Sequence, residues 1–177
     1  MKQQKIVITG GPGTGKSTII EQLVEMKFTC MPEISRSITK KAQESGIDQL
    51  FLKDPLLFSE LLLQGRVEQY ETANKQEYGQ VFFDRGIPDI HGYMDYSGTS
   101  YPEEFIDKSF QFRYSHVFML PPWKEIYRTD NERYESFEQS LIIYNYLIEA
   151  YSKMNYKIIT VPEGNISKRV NFILDSL

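Results

Sequence analysis

Short apolar runs alternate with longer amphipathic stretches along the 177-residue chain. Continuous apolar runs such as Val81-Phe82-Phe83 are typical of strands covered on both faces, as in parallel sheets. Parallel strands need crossover connections, so the stretches between the runs are predicted to be helices. The pattern predicts a three-layer α/β fold, with a five-stranded parallel sheet and helices on both faces. The predicted strands are Lys5–Thr9, Phe28–Pro32, Gln80–Asp84, Ser115–Leu120 and Tyr156–Val161.

Two of the predicted helices have clear start signals. Asp54 is a good N-cap and Pro55 suits the first helical position, so a helix is predicted from there until Gly79. Ser136 has Gln139 three residues later, a capping-box spacing, and begins a helix predicted to run to Lys153. Apolar side chains recurring at helical spacing in this second helix are predicted to be core. They are Leu141, Tyr144, Leu147, Ile148 and Tyr151.

Composition and charge exclude several classes of protein. No linker or repeat interrupts the pattern, so residues 1–177 are predicted to form a single domain. Twenty basic against twenty-four acidic side chains, with no long basic run, disfavour broad nucleic-acid binding. No apolar stretch is long enough to span a membrane, and residues 1–4 lead directly into the first predicted strand. We therefore expect a cytoplasmic protein without a signal peptide. Nothing in the sequence indicates its oligomeric state.

Residues 10–17 read GGPGTGKS and directly follow the first predicted strand. This is the P-loop pattern G-x-x-x-x-G-K-[ST] in its required context, between a strand and a helix. Its backbone amides and the helix N-terminus form a cradle for phosphate, with Lys16 on the β- and γ-phosphates and the Ser17 hydroxyl on Mg²⁺. The motif predicts nucleoside triphosphate binding, with ATP as the favoured donor. The predicted binding residues are Gly11, Pro12, Gly13, Thr14, Gly15, Lys16, Ser17 and Thr18.

Acidic residues end two of the predicted strands. Asp84 ends the third strand, where P-loop proteins hold Mg²⁺, often through water. Its alternative role is to cap the helix that starts near Pro88. Glu33 follows the second strand and is predicted to accept a proton from a substrate hydroxyl during phosphoryl transfer. It could equally bind a ribose hydroxyl or begin the next helix as a dipole-matched acid.

A polar segment at about residues 122–136 follows the fourth strand and is predicted to be a lid. It contains Arg128 and Arg133, whose guanidinium groups suit phosphate oxygens and would close over the transferring group. The alternative interpretation is a solvated charged loop.

Other polar side chains are predicted to line the acceptor side of the site. Helix-surface polar residues are usually only solvated, and that alternative remains open for each of them. His91 and His116 lack metal-ligand spacing and receive no catalytic role. The candidate substrate contacts are Arg66, Gln69, Arg85, Asp89 and Tyr93.

Four segments together resemble the P-loop kinase-like family that includes the ribosylnicotinamide kinase domain of NadR, whose members are often labelled AAA-type ATPases. The resemblance covers nearly the whole chain. It is carried by GGPGTGKST from Gly10, PEISR from Pro32, FFDRGIPD from Phe82 and LPPW from Leu120.

This resemblance implies strand order 2-3-1-4-5, an arginine-bearing lid and nucleoside or nucleotide kinase activity. Deoxynucleoside kinases carry a carboxylate after the second strand, which Glu33 matches, and an acid-arginine pair after the third, which Asp84-Arg85 matches. No nicotinamide-reading feature carries over. The expected function is a Mg²⁺-dependent phosphotransferase with ATP and a small-molecule acceptor. The alternative is an ATP- or GTP-binding switch with slow hydrolysis, since some relatives resemble GTP-binding proteins.

Overall fold

The computed structural model describes residues 3–75, 78–127 and 135–177, and these contain a wholly parallel five-stranded sheet. The strand order is β2-β3-β1-β4-β5, which confirms the predicted topology. The edge strands β2 and β5 are shorter than predicted because each pairs with only one neighbour. The strands are β1 Gln4–Gly10, β2 Thr29–Met31, β3 Gln80–Asp84, β4 His116–Leu120 and β5 Ile158–Thr160.

Helices connect successive strands, and both predicted helix starts are confirmed. The Asp54 side chain accepts a hydrogen bond from the Leu57 amide at 3.0 Å, and Ser136 and Gln139 form the capping box. No helix in the described ranges is both long enough and apolar enough to cross a bilayer. The helices are α1 Lys16–Glu25, α2 Ser35–Glu44, α3 Leu50–Lys53, α4 Pro55–Ala73, α5 Pro88–Ser97, α6 Glu103–Gln111, α7 Phe137–Lys153 and α8 Ile166–Asp175.

The predicted end of α4 at Gly79 is wrong, because the helix ends at Ala73. Ala73 is fully buried, and the Gln3 side-chain amide donates to its carbonyl oxygen at 2.6 Å. This bond satisfies one of the acceptors that a helix leaves open at its C-terminus. A partner far away in the sequence therefore fixes the end of the helix before the glycine is reached.

The sheet is covered by a hydrophobic cluster on each face. Ile6 and Ile8 of β1 face the layer of α1 and α8, whereas Val7 faces the layer that includes α7. Leu147 and Tyr151 of α7 are fully buried, as predicted, but Leu141 is 43% exposed, so its assignment to the core is wrong. The buried face of α7 is centred on other positions: Ser140, Ile143, Leu147, Ala150 and Tyr151.

Gly92 is the point of closest approach between α5 and α7. A Cβ atom added there would lie 3.2 Å from the Leu147 Cα and 3.3 Å from its backbone nitrogen. Because helix backbone cannot yield locally, we expect Gly92→Ala to lower the free energy of unfolding by about 1–3 kcal/mol, measured by urea denaturation.

Gly65→Ala in α4 is the matched control for this substitution. There the added Cβ would meet the Ile34 Cδ1 atom at 2.6 Å, and this is the movable end of a side chain. Alanine also has a helix propensity about 1 kcal/mol better than glycine. We expect a near-neutral effect, and equal destabilisation by the two substitutions would contradict the argument.

Candidate functional site

The phosphate-binding loop runs from the end of β1 at Gly10 to the start of α1 at Lys16. Gly13 and Gly15 have φ values of 72° and 83°, in the left-handed region that favours glycine. The Lys16 ammonium donates to the carbonyl oxygens of Gly10 at 2.9 Å and Gly11 at 2.7 Å. Ser17, in the first turn of α1, is exposed. The loop therefore lies between a strand and a helix, which is the context that the sequence motif requires.

The pKa of the Lys16 ammonium is lowered in this structure. Burial and, next, the charge of Arg85 lower the pKa of the ammonium to about 7. Nearby carboxylates act in the opposite direction and do not offset the lowering. Backbone carbonyls are its hydrogen-bond acceptors, so an anionic phosphate would stabilise its charged form more strongly.

Asp84 is the last residue of β3, beside β1 in the sheet, and is 7% exposed. Its Oδ1 atom is buried without a hydrogen-bond partner among the described residues, and burial raises the pKa of the carboxyl. Asp84 does not cap α5, whose N-cap is Ile87. The alternative role of Asp84 as the cap of this helix is therefore wrong.

The Asp84 carboxylate and the Ser17 hydroxyl are oxygen donors, which Mg²⁺ prefers. The unpartnered Oδ1 atom of Asp84 fits such a cation. No cluster of three or more His, Cys, Asp or Glu side chains suits a metal within the described ranges. A magnesium ion held here would therefore take its further ligands from outside these side chains, such as water or nucleotide phosphates.

Glu33 lies between two arginines at the end of β2. Its Oε2 is 2.5 Å from the Arg85 Nε, and its Oε1 is 3.7 Å from an Arg66 nitrogen. Oε1 also accepts hydrogen bonds from the backbone amides of Ile34 and Ser35 at 2.9 and 3.0 Å, at the start of α2. Burial alone would raise the pKa of Glu33, but Arg85 and then Arg66 bring it down to about 2.

Arg85 links Glu33 to the loop and to α5. It has a φ of 74°, unusual for a side chain of this size, and its backbone amide donates to the Ile8 carbonyl at 3.0 Å. Its guanidinium donates to the Gly10 carbonyl and to Asp89 Oδ1, each at 3.2 Å, and lies over the Tyr93 ring. The strained backbone turns the side chain across the carboxyl ends of the strands.

Asp89 is fully buried behind Arg85. Besides Arg85, its carboxylate accepts from the Thr9 hydroxyl at 2.5 Å, the Tyr151 hydroxyl at 2.6 Å and the Gly86 amide at 2.9 Å. Both carboxylate oxygens are therefore engaged within the protein. This geometry suits a residue that fixes Arg85.

Arg66 and Gln69 of α4 flank Glu33. Arg66 is 3% exposed and donates to the Gly86 carbonyl. Gln69 donates to the Pro32 carbonyl at 2.7 Å, which ties α4 to the segment that carries Glu33. The structure thus brings two of the predicted substrate residues, Arg66 and Arg85, against Glu33. Gln69 contacts the adjoining Pro32, and Tyr93 lies under Arg85.

The predicted lid arginines Arg128 and Arg133 lie outside the described residues. The described part of that segment reaches the phosphate-binding loop. A Cβ added at Gly13 would lie 2.5 Å from the Tyr127 ring, and one at Gly15 would lie 3.5 Å from Ile126. The Tyr127 hydroxyl donates to the Glu135 carbonyl, which connects the two described ends of the segment.

Sequence reasoning missed Thr9, the hydroxyl of Tyr151 and Arg169. Arg169 of α8 donates from Nη2 to the Thr14 carbonyl at 3.0 Å, across 155 residues of chain. A signal for it was present, because Arg169 shares the buried face of α8 with Val170 and Ile173. A charged side chain on an apolar helix face indicates a specific partner.

Comparison with known proteins places this geometry among P-loop proteins. A family model described as an AAA domain matches residues 5–169. No curated protein matches the chain.

Solved structures share the fold at low sequence identity. Deoxyadenosine kinase from M. mycoides, with products dCMP and a flexible dCDP bound, has a TM-score of 0.68 at 17% identity, with 98% of each chain covered. Thymidylate kinase from Candida albicans has a TM-score of 0.67 at 17% identity, covering 99% of this chain and 91% of that one. The NadR protein in complex with NAD and AMP-PNP has a TM-score of 0.67 at 16% identity, covering 98% of this chain and 48% of NadR.

Proposed function

The chain belongs to the AAA domain family, and on this premise we propose that it is a Mg²⁺-dependent phosphotransferase. It would transfer the γ-phosphoryl group of ATP to a small molecule, a nucleoside or nucleotide. The observation that carries the proposal is Glu33, held by Arg85 and Arg66 beside the strands that carry the phosphate-binding loop and Asp84. A protein that only holds a nucleotide has no need of this second polar set.

At the donor end, the loop amides and Lys16 would bind the triphosphate. Ser17 and Asp84 would hold Mg²⁺, which when bound offsets negative charge on the phosphoryl group. The lid residues Arg128 and Arg133 would close over the transferring group and exclude water.

At the acceptor end, Glu33 would accept a hydrogen bond from the attacking hydroxyl and orient it. With a pKa of about 2, Glu33 remains a carboxylate at neutral pH. A carboxylate with so low a pKa is a weak general base, but it accepts hydrogen bonds well. Phosphoryl transfer depends mainly on positioning and electrostatics, so orienting the hydroxyl is the more useful role. Arg66, Gln69, Arg85 and Tyr93 would contact the acceptor, while Asp89 acts through Arg85.

The direct test is mass spectrometry of products after incubating the protein with ATP, Mg²⁺ and a panel of nucleosides and nucleotides. We expect one acceptor class to gain a single phosphoryl group. Glu33→Gln serves as the matched negative control, because it keeps the side-chain size. Tight nucleotide binding with no phosphorylated acceptor would instead favour the regulatory switch.

The pKa of Lys16 predicts that nucleotide binding takes up protons. The ligand-free pKa is about 7, and a bound triphosphate raises it, so above pH 7 each binding event protonates a fraction of Lys16. The affinity for ATP is therefore highest near and below pH 7 and falls by up to about tenfold per pH unit above it, until the raised pKa is passed.

Calorimetry at pH 8 in buffers of different ionisation enthalpy measures this uptake. We expect a value approaching one proton for the wild type. Lys16→Arg is the control, because a guanidinium stays charged throughout this range and removes the uptake. A wild-type value of zero would contradict the prediction.

A further inference from the structure

Arg169 lies against the phosphate-binding loop. The residue is 5% exposed, and its Nη2 donates to the Thr14 carbonyl at 3.0 Å. Its Nη1 is 2.8 Å from the position that a Cβ would occupy at Gly15. The guanidinium therefore packs on the peptide units that immediately precede Lys16.

The charge of Arg169 lacks the neighbouring carboxylate that Arg66 and Arg85 have. Arg66 and Arg85 both pair with Glu33, whereas no carboxylate lies within ion-pair distance of Arg169 among the described residues. Its buried Nε has no hydrogen-bond partner in the same residues. Burial lowers the pKa of Arg169, and only Glu163, at longer range, acts in the opposite direction.

A buried cation whose acceptor is a neutral carbonyl destabilises the ligand-free protein. The buried cation becomes favourable once an anion binds nearby, because opposite charges attract strongly in a region of low dielectric. The anion that the adjoining loop is shaped to hold is a polyphosphate.

We propose that Arg169 is a positioning residue for the triphosphate. It fixes the Thr14–Gly15 backbone so that the loop amides face the phosphates, and it adds a permanent positive charge beside the loop. The inference rests on the proposed nucleotide site and extends it to a residue of the C-terminal helix.

The test compares Arg169→Met with the wild type in the full chain, measuring equilibrium binding of ATP and of inorganic tripolyphosphate at several salt concentrations. Methionine keeps an unbranched apolar stem and removes the charge. We expect both dissociation constants to rise about tenfold, and by nearly the same factor at each salt concentration, because a buried charge is screened only weakly. Arg169→Lys, which keeps the charge, should recover most of the affinity.

Arg113→Met is the matched control, because Arg113 precedes the opposite, amino-terminal end of β4 and stacks over Tyr156 at 3.9 Å. It changes the net charge equally and should leave ATP affinity unaltered. Melting temperatures of the ligand-free variants verify folding.

Two outcomes overturn the proposal. They are an unchanged ATP affinity in Arg169→Met and a failure of Arg169→Lys to recover the lost affinity, which would indicate a purely structural contact. Binding is measured without turnover, so the absence of any phosphorylated product would contradict the proposed function and leave this inference standing. A wild type that binds neither ATP nor tripolyphosphate would contradict both.

Discussion

Replacing Glu33 by glutamine is expected to lower turnover by about 10² or more, with little change in the affinity for ATP. The neutral amide keeps the oxygen that accepts from the Ile34 and Ser35 amides, so the start of α2 is preserved. It loses the charge that Arg85 holds at 2.5 Å and with it the acceptor that orients the attacking hydroxyl. Steady-state kinetics with a fixed acceptor and calorimetry with ATP measure the two quantities separately.

Glu33→Asp is the control that separates charge from position. It keeps the carboxylate but shortens the side chain, so it should retain Arg85 pairing and lose turnover through misplacement of the oxygen. Because the lowered pKa of Glu33 is about 2, wild-type activity should show no loss from Glu33 protonation above about pH 4. Unchanged turnover in Glu33→Gln would remove Glu33 from the mechanism.

Asp89→Ala is expected to lower the free energy of unfolding by about 3–5 kcal/mol, the largest stability effect that we anticipate. The substitution removes the more deeply buried of the two carboxylates that pair with Arg85 and leaves only Glu33. It also leaves the Thr9 hydroxyl, the Tyr151 hydroxyl and the Gly86 amide without their acceptor. Urea denaturation with an unchanged m-value would report this loss.

Asp95→Ala is the matched control on the same helix. Asp95 pairs at 3.4 Å with Lys153, whose side chain is 60% exposed, so its removal should lower the free energy of unfolding by only about 0–1 kcal/mol. If Asp89→Ala were no more damaging than Asp95→Ala, the buried carboxylate would not be the support of Arg85 that its contacts indicate.

The parts of the molecule that sequence analysis predicted well are those with local signals. The apolar run of β3 matches the predicted bounds, Gln80–Asp84. The phosphate-binding loop and the caps at Asp54 and Ser136 also depend on residues within a few positions of each other. Features of this kind can be predicted from sequence because the residues that determine them are close together in the chain.

The supports of the site have no such local signal. Tyr151 is 62 residues from Asp89, and its spacing in α7 predicts only a core side chain. The end of α4 likewise depends on Gln3, which is 70 residues away from Ala73. Contacts between residues so far apart in the sequence depend on how the layers of the fold pack together. They cannot be predicted from the sequence before the fold is known.

The order of the strands places the two halves of the proposed site, the donor half and the acceptor half, on different parts of the sheet. The phosphate-binding loop follows the central strand, whereas Glu33 follows the edge strand β2, and its neighbours Arg66 and Gln69 come from α4. Substitutions from α2 to α4 would then change which acceptor fits, while the phosphate-binding loop would still bind the triphosphate. On this scaffold, new acceptor preferences can evolve without a loss of the donor chemistry.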